Sequence, residues 1–196
     1  MDPVQEDEPF RFLDAAAKET TVALTRANIR HGFMGGYATS LIGGSRITED
    51  IDVIVDSDPS EARNKLLQAN ACFTVTPSSK LVFSGGDDKP IPVELLRGGE
   101  GRQLKLPDAN SVSLRSVTAN VLPGRVEETP MRDVDDIKVI LTWLVNDGSL
   151  IDFEGYLEQP KHELLAFVRK LYQMHTKIRP LLVATLSAED LALISN

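Results

Sequence analysis

Two carboxylates spaced two residues apart, Asp50 and Asp52, open a run of branched apolar residues that continues to Val55. A short β-branched run of this kind predicts a buried strand. Residues i and i+2 of a strand share a face. Asp50 and Asp52 therefore project side by side, while Ile51 and Val53 point the other way into a core. Like charges held together repel and lose hydration, and a divalent cation between them relieves both costs. Gly36, the second of a Gly-Gly pair, stands fourteen residues before Asp50. A turn without side chains lets a phosphate chain approach backbone N–H groups closely. Glycine turn and acid pair together point to a site for a metal-bound nucleoside triphosphate.

The wider pattern is more specific. Gly35, Gly36, Ala38, Leu41, Gly43, Arg46, Thr48, Asp50, Ile51 and Asp52 read as Gly-Gly-x-Ala-x-x-Leu-x-Gly-x-x-Arg-x-Thr-x-Asp-Ile-Asp. This resembles the signature of the polymerase-β-like nucleotidyltransferase superfamily. Within it, the pattern is similar to the branch that includes abortive-infection-type toxins and minimal nucleotidyltransferases. Ten matched positions in 18 residues say more than a lone acid pair or a lone glycine pair. The resemblance runs from Phe33 to about Val55. It extends less fully to Glu94 and to the segment around Asp136.

The resemblance implies a third carboxylate on a later strand beside the first. The candidate is Glu94, in Ile91-Pro92-Val93-Glu94-Leu95-Leu96. Asp87 and Asp88 lie between Gly85-Gly86 and Lys89-Pro90, which is turn composition, and read as solvated loop acids. The plainer reading of Glu94 is an exposed acid on an edge strand, and Pro92 favours edges and strand starts. Asp50, Asp52 and Glu94 are then the implied catalytic acids and the ligands of magnesium or manganese. The implied reaction moves a nucleoside monophosphate from a triphosphate such as ATP to an acceptor hydroxyl or amine, with two ions about 3.5–4 Å apart. Gly35, Gly36, Ser40, Arg46, Thr48 and Lys138 are the implied nucleotide-binding residues.

Each has a structural alternative. Arg46 could pair with Glu49. Thr48 could bond backbone at the strand entry, and Ser40 could be a cap or turn residue. Lys138 stands in Met131-Arg132-Asp133-Val134-Asp135-Asp136-Ile137-Lys138. That segment is similar to a lysine- and aspartate-bearing helix of related proteins, whose acid fixes the helix beside the site. It departs from the pattern in carrying two acids, Asp135 and Asp136, in place of one. Two other functions stay open: a catalytically silent nucleotide-binding or regulatory protein of the same fold, and a toxin component that modifies RNA or protein.

The 196 residues suit one domain with at most a small annex. A formal net charge of −8 argues against tight, nonspecific binding to long nucleic acid. It favours a small-molecule acceptor slightly over RNA and leaves a homodimer open. One cysteine, Cys72, cannot form an intrachain disulfide and reads as a small buried apolar residue. The acidic N-terminus lacks the apolar core of a signal peptide, and no run reaches membrane-spanning length. The expected location is cytoplasmic, with no membrane partner. His31, His162 and His175 lack metal spacing and read as surface or helix-end residues.

The expected fold, which the resemblance also implies, is α+β: a small mixed β-sheet flanked by helices with a helical C-terminal part. The expected organisation is a mobile acidic N-terminus over 1–9, a catalytic core over 10–130, and a helical part over 131–196 packed on it. A helix is predicted over Phe10–Ile29 with Gly32 as its stop, then a short strand at Phe33 and Met34 and a short helix over Tyr37–Ile42. The strand with the acids is followed by a helix capped by Ser60 and running to about Ala69. A hairpin over 71–76 and 80–84 and a strand over 91–96 complete the sheet. Later helices are expected from an Asp133 cap to about Leu144, from near Pro160, and after Ser187.

Overall fold

The computed structural model describes residues 8–44, 47–85, 89–98, 131–153 and 159–195. Among these residues there are five strands and seven helices. Residues 1–7, Ser45, Arg46, Asp87, Asp88 and all of 99–130 lie outside them. No helix among the described residues is long and apolar enough to cross a membrane.

The chain divides into two compact units, and the division falls inside one short helix. Of the described residues, the first unit comprises 8–38, 47–85 and 89–98. Its strands are β1 (His31–Met34), β2 (Ile51–Val55), β3 (Phe73–Val75), β4 (Leu81–Phe83) and β5 (Ile91–Leu96). Their order in the sheet is β1-β2-β5-β4-β3. β2 and β5 run parallel, and every other neighbouring pair is antiparallel. The sheet is thus mixed, as expected. β5 is interior in the strand order, but its pairing with β4 ends at Pro92, so the exposed Glu94 is paired on the β2 side alone. Its proline is tolerated because β5 changes neighbours along its length. Ile91 and Pro92 face β4, and Val93 to Leu96 face β2.

Helices α1 (Glu8–Arg26) and α3 (Pro59–Ala69) pack on one face of this sheet. Leu13, Ala16, Leu24 and Leu66 from the helices meet Ile51, Val53, Val55 and Val93 from the strands, all buried. Strand alternation sends Asp52 and Glu94 to the other face. α1 does not run on to Gly32. Asn28 takes a left-handed φ of 56° at its end. The Asn28 N–H donates to the Thr25 carbonyl at 3.0 Å and the Ile29 N–H to the Leu24 carbonyl at 2.9 Å. That is a Schellman closure, with Ile29 and Leu24 buried against the same core. Gly32 lies instead inside β1. Asp58, not Ser60, caps α3: its carboxylate accepts the Ser60 N–H at 2.8 Å, with Pro59 in the first turn.

Of the described residues, the second unit comprises 39–44, 131–153 and 159–195. It contains α4 (Met131–Asp147), α5 (Lys161–Met174), α6 (Arg179–Thr185) and α7 (Ala188–Ser195). α4 packs on α6, and α5 on α7. Ile137, Leu141 and Leu144 repeat at helical spacing and are buried with Leu165, Leu171, Leu182 and Ile194. Trp143 is only half-buried at the margin of that cluster. Asp133 does not cap α4, since the helix already begins at Met131, and Pro160 stands just before α5 rather than within it. α6 has no counterpart among the sequence expectations. Arg179 at its start donates to the Tyr172 and Gln173 carbonyls at 2.6 and 3.0 Å, closing the C-terminus of α5. Ser187 caps α7 as expected, accepting the Asp190 N–H at 3.1 Å.

Candidate active site

The site residues that the first unit brings together lie along one row of the sheet. Asp52 is the register partner of Glu94 on β5 and of Met34 on β1. Register partners share a face and stand about 4.8 Å apart across the ladder. Asp52 and Glu94 are forty-two positions apart in the chain, yet neighbours on the sheet. Asp52 is half-buried and Glu94 exposed, so the pair sits at a surface that a ligand can reach.

Asp50 stands one residue before β2, in a bend rather than on the strand. Its carboxylate accepts the Thr48 hydroxyl at 2.8 Å. Thr48 is therefore an orienting group for Asp50. Among the described residues no three His, Cys, Asp or Glu side chains are gathered into a metal cage. The acids form a side-by-side pair, Asp52 and Glu94, with Asp50 two residues upstream and turned toward Thr48. All three groups are carboxylates, the donor type that a hard divalent cation prefers.

The glycine pair does not form a free turn. It begins helix α2 (Gly35–Leu41) directly after β1. Gly35 has φ +66°, a left-handed backbone. A Cβ there would lie 2.3 Å from Asp52 Oδ2. Both facts demand glycine: the backbone is one that side chains resist, and the α-carbon lies against the acid. Glycine at this position thus serves the close approach to Asp52 as well as any approach of a phosphate.

Tyr37, two residues on, was not singled out by spacing. It is buried, and its hydroxyl donates to Asp14 Oδ1 on α1 at 2.8 Å. Burial first, then the bond to Asp14 and its charge, push the phenol well above its usual range, so it stays a donor. The ring stands edge-on to Phe33 at 5.3 Å. Nothing in a 23-residue separation announces this bond. The only signal is a hydroxyl-bearing aromatic inside a glycine-rich helix start.

The other expected contacts distribute as follows. Ser40 is half-buried in the part of α2 that belongs to the second unit. Lys138 is exposed on α4 in that unit, and its carbonyl accepts the Thr142 hydroxyl at 2.7 Å. Asp136 is half-buried on the same helix. Glu49 pairs with Lys89 at 2.8 Å, and both are exposed. The Lys89 bond, then its charge, draws the Glu49 carboxyl below its usual range. Cys72 is half-buried, with its N–H on Asn70 Oδ1, rather than fully inside. His31 lies in β1, His162 in the first turn of α5, and His175 at its C-cap.

No protein-family model and no curated protein matches the chain. A solved structure described as an antigenic nucleotidyltransferase-like protein from Paracoccidioides brasiliensis is similar over 100% of both chains, with TM-score 0.61 and 17% identity. At that identity the likeness speaks to the fold alone. The fold of this protein is nucleotidyltransferase-like: α+β, with a five-stranded mixed sheet among the described residues.

Proposed function

We propose that this protein is a metal-dependent nucleotidyltransferase. It would move a nucleoside monophosphate from a nucleoside triphosphate to an acceptor hydroxyl or amine. The observation that carries this reading is the register pairing of Asp52 with Glu94 on parallel strands, with the Gly35 α-carbon against Asp52. Two carboxylates side by side on one row of the sheet, beside a helix start without side chains, are a donor set that a divalent cation could bridge. The pattern from Gly35 to Asp52 is similar to that of the abortive-infection toxin-like branch, which we propose as the nearest relation.

Asp50, Asp52 and Glu94 are the residues that would hold magnesium or manganese. When bound, such an ion neutralises triphosphate charge and lowers the pKa of an attacking hydroxyl. Glu94, the exposed member, would accept the proton of the acceptor. Thr48 keeps Asp50 oriented through the 2.8 Å bond. Gly35 and Gly36 offer backbone without side chains to phosphate oxygens. The acceptor is proposed to be a small molecule, since a net charge of −8 gives little attraction to RNA.

A second reading, a nucleotide-binding protein without turnover, has one observation on its side. Among the described residues the acids are not gathered into a three-ligand cage. The deciding experiment is transfer of radiolabelled nucleotide to a panel of hydroxyl and amine acceptors, with magnesium and with manganese. Calorimetry of triphosphate binding accompanies it. Transfer supports the first reading. Metal-dependent binding without transfer to any acceptor supports the second, and equal affinity in chelator removes the metal from both.

A further inference from the structure

α2 begins at Gly35 with almost no freedom of placement. Its first α-carbon lies so near Asp52 that an added Cβ would stand 2.3 Å from the carboxylate. A shift of a few tenths of an ångström would either press on that acid or open a gap beside it. The ladder places this point, since Met34 is the register partner of Asp52, but the direction in which α2 leaves the strand needs a side chain that the glycine pair lacks. The next residue supplies one. Tyr37 is only 5% exposed. Its hydroxyl reaches Asp14 Oδ1 at 2.8 Å. Its ring meets Phe33 edge-on at 5.3 Å, and Phe33 meets His31 edge-on at 6.3 Å. Asp14 sits on α1, which is packed against β2 and β5 through the core face of the sheet.

A tie therefore runs from the back of the sheet to the front. α1 is fixed to the strands by Leu13, Ala16 and Ala17, all buried. Asp14 carries that position to Tyr37, and Tyr37 carries it to the glycine pair beside Asp52. The bond has a charged acceptor, the stronger kind of hydrogen bond. We propose that the Tyr37–Asp14 hydrogen bond is a positioning device that holds the start of α2 at its distance from Asp52 and so sets the affinity of the site for a metal-bound nucleoside triphosphate. The inference rests on the nucleotide-binding reading above. Tyr37 and Asp14 are positioning residues, since neither is among the groups proposed to touch metal or nucleotide.

The test compares four variants with the wild-type chain. Tyr37→Phe keeps the ring and removes the donor. Asp14→Ala removes the acceptor, while Asp14→Asn keeps an acceptor oxygen. Leu66→Val loosens the core on α3, away from α2, and shows what general destabilisation does. Magnesium-ATP affinity is measured by calorimetry well below each melting temperature. The amide resonances of Gly35 and Gly36 are recorded without ligand.

Tyr37→Phe and Asp14→Ala should each weaken magnesium-ATP binding about tenfold and shift both glycine amides, the loss of one charge-assisted bond. Asp14→Asn should restore most of the affinity. Leu66→Val should lower the melting temperature with affinity and glycine amides unchanged. Unaltered affinity in Tyr37→Phe, or an equal fall in Leu66→Val, overturns the positioning role. If the wild-type chain binds no magnesium-ATP, the functional reading fails, and with it the effect on affinity. The glycine amides then still decide whether Tyr37 holds α2.

Discussion

Gly35 is the residue at which backbone and chemistry meet. Replacing it by alanine asks a side chain to accept φ +66° and puts a Cβ 2.3 Å from Asp52 Oδ2. The backbone alone costs about 1–2 kcal/mol, and the clash falls on a proposed metal ligand. Gly35→Ala should lower the melting temperature and abolish detectable magnesium-triphosphate binding. Gly32→Ala is its control, because nothing lies within 4 Å of a Cβ there and no positive φ is involved. It should leave binding intact and stability unchanged or raised by up to about 1 kcal/mol. Thermal melts and calorimetry on both variants check the contrast, and similar behaviour of the two would contradict it. Glu94→Gln keeps the size of an exposed side chain while removing its charge and its proton acceptor. Turnover should fall by roughly 10²–10⁴, as for a lost general base. Binding should weaken less, because Asp50 and Asp52 remain. A Glu94→Gln enzyme with wild-type turnover would take the third acid off this residue.

Helix ends and faces carry the element-scale predictions. Asp58 caps α3, and its pKa is lowered first by the bonds from Ser60. A carboxyl whose folded pKa is depressed stabilises the fold above its unfolded value, near 3.9. That contribution is lost as pH falls through the lower folded value. Wild type should therefore melt above Asp58→Ala at neutral pH, and the gap should close below about pH 4. A gap that persists in acid would mean that the cap acts through something other than its charge. On α6, adjacent residues make a sharper contrast. Leu182 is 2% exposed and Val183 46%. Leu182→Ala should cost about 2–5 kcal/mol and Val183→Ala no more than about 0.5 kcal/mol. Denaturant titration of both variants reads the buried face of α6 directly.

At the scale of the whole chain, ligand binding should appear as stability. A nucleoside triphosphate at about one hundred times its Kd, with magnesium, should stabilise the folded state by about 2.7 kcal/mol. For a chain of this size that is a rise of roughly 5–10 °C in melting temperature. If the two units melt separately, the shift belongs to the one carrying Gly35, Asp52 and Glu94. Chelator should remove it. No shift with any triphosphate in magnesium would argue against the proposed function. The net charge of −8 adds that long RNA should give no comparable shift at physiological salt.

Local chemistry determined much of this protein from the sequence alone. The segment Ile91–Leu96 is a strand to the residue, and the acid-bearing run is a strand that starts at Ile51, one residue later than expected, which leaves Asp50 in a bend outside it. The hairpin around Pro77–Ser79 and the cap at Ser187 follow from turn and capping chemistry within a few residues. Errors arose where two local signals competed. Gly32 looked like a helix stop, yet Asn28 closes α1. Ser60 looked like a cap, yet Asp58 holds the preceding position. α6 had no sequence expectation at all, although Pro180 in its first turn is a position that suits proline. Only the tertiary structure decided which acids meet. A one-residue slip of β5 against β2 would turn Glu94 into the core face. Nothing in either segment specifies the partner strand, so register and strand order come from burying Val93 and Val53 together under α1 and α3. The Tyr37–Asp14 bond and the approach of Gly35 to Asp52 share that origin. Each joins residues distant in sequence, and such contacts form only once the sheet and its helices have closed around one core.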